Sequence, residues 1–209
     1  TESLQIANRK SDKLLLNILP EKVVNDLRDT GKTDPELFKN VSILFTDIVG
    51  FTNISKQLPP ETLISELNDM FTNFDIIMEK YNCIRIKTMG DAYMAVCGLP
   101  NSDPDHAKKI VQAGLDCLKY LNERNSTHKL QWQMRVGVNS GEAVAGIIGI
   151  RKYIYDVIGD SVNTALRMQN ASEPMRLTVS DSTYKAAKRD FKYKKRAPIE
   201  IKGKGMMTT

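Results

Sequence analysis

Apolar positions along this chain repeat with two periods. Over residues 61–80, Leu63, Leu67, Met70, Phe71, Phe74, Ile77 and Met78 return at helical spacing, which predicts a strongly amphipathic helix. A second helix is predicted over 105–121, with Ile110, Gly114, Cys117, Leu118 and Leu121 on one face, and a third over 160–169, opening just after Gly159. Between them lie short runs rich in β-formers: 41–47, 83–88, 92–97, 134–139 and 155–158. Gly90-Asp91 between the second and third runs reads as a two-residue hairpin turn, because Gly accepts the positive φ such turns need. Gly141 and Gly146 read as turns beyond the fourth run. The order strand, helix, hairpin, helix, strand predicts an α+β fold with helices packed on an antiparallel or mixed sheet.

The first 27 residues read as a helix, with Ser11 as N-cap and Pro20 as a break or kink. Leu14, Leu15, Ile18, Leu19, Val23 and Leu27 lie near one stripe. Such a stripe is most simply a parallel coiled-coil arm; the alternative is a helix packed on its own domain. The polar stretch 28–40, with Gly31 and Pro35, reads as a linker, which divides the chain into residues 1–39 and a domain over 40–209.

Composition changes this picture little. At 209 residues, 41% hydrophobic and 26% charged, the chain has the makings of one large domain, not of a disordered or disulfide-built one. No apolar run approaches the roughly 20 residues needed to span a bilayer, and no signal peptide opens the sequence. Cys83, Cys97 and Cys117 sit in mostly apolar surroundings and read as buried free thiols of a reducing, cytoplasmic-type compartment. The net charge of +5 is local: residues 185–204 hold nine Lys and Arg against Asp190 and Glu200, so the rest is slightly acidic. That distribution argues against a nucleic-acid partner. It leaves a solvated basic face, or attraction to an anionic ligand or membrane surface.

Two carboxylates stand out by position. Asp47 ends an apolar strand and Asp91 tips the hairpin, so neighbouring strands would bring both to one edge of the sheet. Two Asp at one edge, with room for water and phosphate, suit Mg²⁺. The alternative makes Asp47 a helix cap and Asp91 a turn residue. The stretch between strand and helix, with Ile48, Gly50, Phe51 and Thr52, offers backbone N–H groups to phosphates but is neither a Walker A loop nor a dinucleotide fingerprint.

Four ordered motifs sharpen this reading: Phe45-Thr-Asp-Ile-Val-Gly-Phe-Thr52, Ile86-Lys-Thr-Met-Gly-Asp-Ala-Tyr-Met94, Met134-Arg-Val-Gly-Val138 with Ser140-Gly141, and Tyr155-Asp-Val-Ile-Gly-Asp-Ser-Val-Asn-Thr-Ala-Leu-Arg-Met168. Together they resemble the successive motifs of class III nucleotidyl cyclase catalytic domains. The resemblance implies the class III cyclase fold, a ferredoxin-like βαββαβ core sheet with helices packed on it. It implies that Asp47 and Asp91 hold two Mg²⁺ or Mn²⁺ ions, one activating the ribose 3′-OH and the other clamping the triphosphate. Arg135 matches a phosphate-contacting arginine, and Asn163 and Arg167 match the pair that orients the ribose and stabilises the pentavalent transition state. Lys202, in Ile201-Lys-Gly-Lys-Gly205, matches a second phosphate-binding cation, with Lys204 close enough to compete for that assignment. The one visible departure is Asn139, where many relatives carry His.

The base follows from two positions. Relatives that use ATP typically carry Lys and Asp where this chain has Lys87 and Asp156; those that use GTP carry Glu and Cys. A lysine donor and a carboxylate acceptor complement adenine N1 and N6, whereas guanine would present a donor to Lys87. As the bland alternative, Lys87 pairs with a neighbouring carboxylate and Asp156 ends a strand. The resemblance thus implies an adenylate cyclase, with a guanylate cyclase or a catalytically silent nucleotide-binding domain as alternatives. It also implies a head-to-tail homodimer with shared active sites. The helix before the domain resembles those that join cyclase domains to an upstream sensor or membrane module, and the absence of an initiator Met fits a piece of a longer, membrane-anchored protein.

Overall fold

Two long antiparallel strands form the spine of the sheet in the computed structural model, which describes residues 15–149, 153–201 and 205–209. Strand β1 (Glu36–Ile48) pairs with β4 (Met134–Ile148) from Glu36 opposite Ala145 to Ile48 opposite Met134, with a bulge between Phe38 and Val41. Every residue of β1 from Val41 to Thr46 is buried, because helices cover one face and further chain the other. Strands β2 (Cys83–Met89) and β3 (Ala92–Cys97) form the expected hairpin, with Gly90 at φ 63° in its turn. β3 lies against β1, and β5 (Ile154–Ile158) against the second half of β4. The order is β2-β3-β1-β4-β5, with β6 (Arg176–Val179) parallel to the first half of β4.

Helices supply the remaining layers. The helices are α1 (Glu21–Thr30), the short α2 (Phe51–Ser55), α3 (Pro60–Lys80), α4 (His106–Thr127), α5 (Asp160–Asn170) and α6 (Asp181–Ala187). A small hairpin, β7 (Ile199–Ile201) and β8 (Gly205–Met207), closes the element order. The sequence β1-α3-β2-β3-α4-β4 is the expected βαββαβ core. On one face, Met70, Phe74 and Met78 of α3 and Ile110, Cys117 and Leu121 of α4 pack against Leu44, Tyr93, Val136 and Val138. On the other, Ala165 of α5 packs with Ile43, Phe45, Met94 and Val157.

Three expectations need correction. The N-terminal helix breaks at Pro20 as expected, but its second part runs past Leu27 to Thr30, with Gly31 as its left-handed cap. Leu19, Val23 and Val24 are buried in the core beneath β1, so this part of the stripe is packed on its own domain. Each such burial is worth about 1.5–3 kcal/mol, more than an exposed stripe could gain before finding a partner. The coiled-coil reading of residues 1–14, Ser11 and Leu14 included, lies outside the described residues. β1 begins at Glu36, inside the expected linker; its first residues are mostly exposed, which hid the strand from an apolar-run search. β4 runs through Gly141 and Gly146 instead of turning there. At Gly141 a Cβ would stand 2.4 Å from Ser161 Oγ, so the glycine serves a close approach by α5.

Candidate active site

The strand pairing β1–β3 brings Thr46 opposite Tyr93, and so carries the end of β1 and the hairpin tip to one edge of the sheet. There the Asp91 carboxylate accepts the Ile48 N–H at 3.2 Å. Burial, and then the charge of Asp47, hold the Asp91 carboxyl above the usual carboxylate range, against the N–H groups it accepts. Asp47 and Asp91 are therefore close neighbours sharing one partly buried site. Asp47 faces Arg135 directly across the β1–β4 ladder, and Arg135 Nη2 donates to its Oδ2 at 2.6 Å. The Gln169 amide reaches the same oxygen at 3.5 Å.

This donor set fits a hard divalent cation. Both groups are carboxylates, and the repulsion that adds to burial in raising Asp91 is what a bound dication offsets. Among the described residues no cluster of three or more His, Cys, Asp or Glu forms a closed metal cage. A pair of carboxylates that leaves the remaining positions to water and phosphate oxygens is the arrangement Mg²⁺ prefers.

The adjoining turn is tightly organised. Val49 N–H bonds Gln133 O at 2.8 Å, and Gly50 at φ 71° opens α2. The Phe51 ring lies 6.4 Å from that of Trp132, while Thr52 is exposed. Ile48 donates its N–H to Asp91, which ties this turn to the hairpin tip.

Lys87 and Asp156 meet. Lys87 Nζ stands 2.6 Å from Asp156 Oδ2, with the lysine side chain 34% exposed and the aspartate 13%. Asp156 also accepts the Val157 N–H through its other oxygen, which fixes the carboxylate plane. The expected base-reading pair is thus one preassembled donor–acceptor unit. It also satisfies the bland alternative, since the neighbouring carboxylate of Lys87 is Asp156 itself.

Asn163 and Arg167 occupy the outer side of α5. Thr164, Ala165, Met168 and Gln169 face the sheet, whereas Asn163 is exposed and Arg167 half-buried on the opposite side. The structure brings Asp47, Asp91 and Arg135 together and points Asn163 and Arg167 away from β4. Lys202 lies outside the described residues. Sequence reasoning missed Gln169, a fully buried amide beside the site. A polar residue four positions after Ala165 in the buried stripe of an amphipathic helix was the signal available.

A family model for the adenylate and guanylate cyclase catalytic domain matches residues 33–209. Guanylate cyclase D of Mus musculus is 38% identical over 215 residues, a match that takes in all of this chain and 19% of that protein. The chain thus spans about a fifth of the length of such curated relatives. Among solved structures, the catalytic core of a rhodopsin-guanylyl cyclase with converted specificity, in complex with ATPalphaS, is 35% identical with a TM-score of 0.79, covering 85% of this chain and 96% of that one. The adenylyl cyclase CyaB of P. aeruginosa is 27% identical with a TM-score of 0.77, covering 84% and 94%. With its fold, its paired sheet-edge carboxylates and this match over most of its length, the chain belongs to the family of adenylate and guanylate cyclase catalytic domains.

Proposed function

We propose that this domain converts ATP to 3′,5′-cyclic AMP and pyrophosphate. The observation that carries the reaction type is the cluster of Asp47, Asp91 and Arg135 at one sheet edge. In the reaction the ribose 3′-oxygen bonds to the α-phosphorus, the bond from that phosphorus to the bridging oxygen breaks, and the 3′-OH proton leaves. Two Mg²⁺ or Mn²⁺ ions held by Asp47 and Asp91 would lower the pKa of the 3′-OH and shield phosphate charge. Arg135, which donates to Asp47, would supply a cation to the phosphates. Lys202 adds a second cation to the triphosphate. Asn163 orients the ribose, and Arg167 supplies charge where it develops, so its loss should lower turnover more than binding.

Two considerations bear on the base. The Lys87–Asp156 unit offers adenine a donor for N1 and an acceptor for N6, and guanine would set like against like at both. The curated relatives, in contrast, are named as guanylyl cyclases, and their names favour GTP as the second reading. Overall identity reflects the shared scaffold, whereas the base is read by a few side chains, so we give the pair the greater weight. Assays with each nucleotide under Mg²⁺ and Mn²⁺ decide between them. Cyclic GMP formed at comparable or higher kcat/KM overturns the ATP reading, and turnover of neither nucleotide leaves a silent nucleotide-binding domain.

The working unit is a head-to-tail homodimer in which the metal-binding aspartates of one chain meet Asn163 and Arg167 of the other. Supporting this, Ile148, Tyr153, Ile154 and Ile158 are each about half exposed on the β4–β5 edge, and Leu166 lies on the outer side of α5 with Asn163. Several half-exposed apolar side chains near one sheet edge favour a partner, and a second copy presents the same side chains about a two-fold axis. The chain ahead of Leu19 would connect the catalytic domain, which takes in β1 from Glu36, to an upstream sensor or membrane module on the cytoplasmic side. Among the described residues no helix is long and apolar enough to cross a membrane.

A further inference from the structure

The α5-facing side of β4 has two bare positions. Positions 135, 137, 139 and 141 alternate onto the side that carries α5, and two of them are glycines against which the helix lies directly. A Cβ at Gly137 would stand 1.9 Å from the Gln169 backbone nitrogen, and one at Gly141 2.4 Å from Ser161 Oγ. The last and first turns of α5 thus rest on backbone at both ends. Between the two glycines stands Asn139, 5% exposed.

Asn139 grips the first turn. Its Nδ2 donates to the Ser161 carbonyl at 3.0 Å, and its Oδ1 accepts from Ser182 Oγ at 3.1 Å. The carbonyl partner fixes which end of the amide points at α5. Ser182 also reaches Ser140 O at 2.7 Å and Ser180 Oγ at 2.9 Å, so the amide is braced from α6. Glycine contacts allow a helix to slide along a strand; a directional hydrogen bond to one carbonyl does not. Val162 and Asn163 N–H both point back to Gly159 O, at 3.2 and 3.5 Å, so the clamped turn is the one that launches Asn163.

We propose that Asn139 is a positioning residue that sets the register of α5 on β4, and through it the placement of Asn163 and Arg167. This rests on the roles proposed above for those two residues. Asn139 itself touches no substrate. Catalytic groups displaced by about 1 Å can cost on the order of 100-fold in rate. Loss of the clamp should therefore reduce kcat while leaving the Lys87–Asp156 base site, which sits on β2 and β5, unchanged.

The experiment compares purified dimeric Asn139→Leu, Asn139→His and wild type. Leu keeps the branched shape with somewhat more bulk and removes both hydrogen bonds, whereas a His ring N–H can still donate to Ser161 O. Asn139→Leu should lose about 10- to 100-fold in kcat with KM for ATP unchanged. Asn139→His should recover most of that loss. Hydrogen exchange of the amides of α5 should quicken in the Leu variant alone. A Leu variant with wild-type kcat, a His variant no better than Leu, or unchanged exchange in α5 overturns the proposal. If wild type turns over neither nucleotide, the cyclase reading fails instead, and the exchange measurement still decides the clamp.

Discussion

Lys87 and Asp156 belong to strands at the two ends of the β2-β3-β1-β4-β5 order, yet their charged atoms stand 2.6 Å apart. The sheet curls because β5 pairs only with the second half of β4, while β3 pairs with β1 over 42–46. Twist accumulated across the strands then folds the edges towards one another. The pair that would read the base is therefore a product of sheet curvature.

That geometry predicts a specificity switch. Replacing Lys87→Glu and Asp156→Cys together exchanges both partners of the base, and the ratio of kcat/KM for ATP over GTP should fall by about 100-fold or more. Lys87 is one-third exposed, so loss of the ion pair should cost about 1 kcal/mol of stability or less. Measuring both products for both proteins tests this. A ratio that stays put would mean that other side chains read the base.

A buried cation predicts a stability defect. The Arg124 side chain is 3% exposed on α4, and its Nη2 and Nε reach Glu66 at 2.7 Å and Asp69 at 3.0 Å on α3. Glu66 also accepts the Trp132 indole N–H at 2.8 Å. Arg124→Met leaves the partly buried Glu66, 19% exposed, with its charge uncompensated, and urea unfolding should show a loss of about 3 kcal/mol. Most of this comes from the Glu66 arm, since Asp69 is half exposed. A change within about 0.5 kcal/mol would make the cluster an ordinary surface network.

How far the sequence foretold this arrangement depends on the range of the interaction. Asp47 and Asp91 were legible as a strand end and a hairpin tip, because a two-residue turn marks the β2–β3 hairpin locally, whereas their meeting rests on the longer-range β1–β3 pairing. Asn163 and Arg167 share a face because four residues make about one helical turn. The Lys87–Asp156 contact was legible only as two separate residues, since their meeting depends on the twist of the whole sheet. β4 was cut short at Asn139 because glycine usually marks a turn, whereas Gly137 and Gly141 are bare so that α5 can lie on backbone. Polar exposed residues at the start of β1 hid that strand, and packing of Val23 and Val24 was indistinguishable from a coiled-coil stripe.

His106 predicts a pH-dependent stability. Its half-buried ring holds Ser42 Oγ at 2.7 Å, and burial lowers its pKa below 6.5, opposed by the charges of Asp103 and Asp105. The unfolded chain then binds a proton more readily than the folded one. The contribution is fully present above about pH 6.5 and declines as pH falls through that value towards the folded pKa. Thermal melting from about pH 8 to pH 5 should show a shallower decline for His106→Gln than for wild type. Parallel curves would place the ring's titration outside the folding equilibrium.

The last prediction concerns the shared site. Asp47 lies at the sheet edge beside Asp91, whereas Asn163 faces outward on α5, away from its own β4. If each site takes its carboxylates from one chain and its ribose and transition-state contacts from the other, Asp47→Ala and Asn163→Ala should each be nearly inactive alone. In a mixed dimer one site collects both defects and the other collects neither. Mixing the two inactive proteins should then restore up to about half the wild-type rate per heterodimer, because one of two equivalent sites is whole. Activity of wild type should also fall on dilution as dimers separate. Heterodimers verified by differential tags that show no recovery would place both residues in the same site, on the same chain, and Asn163 would have to reach its substrate without crossing an interface.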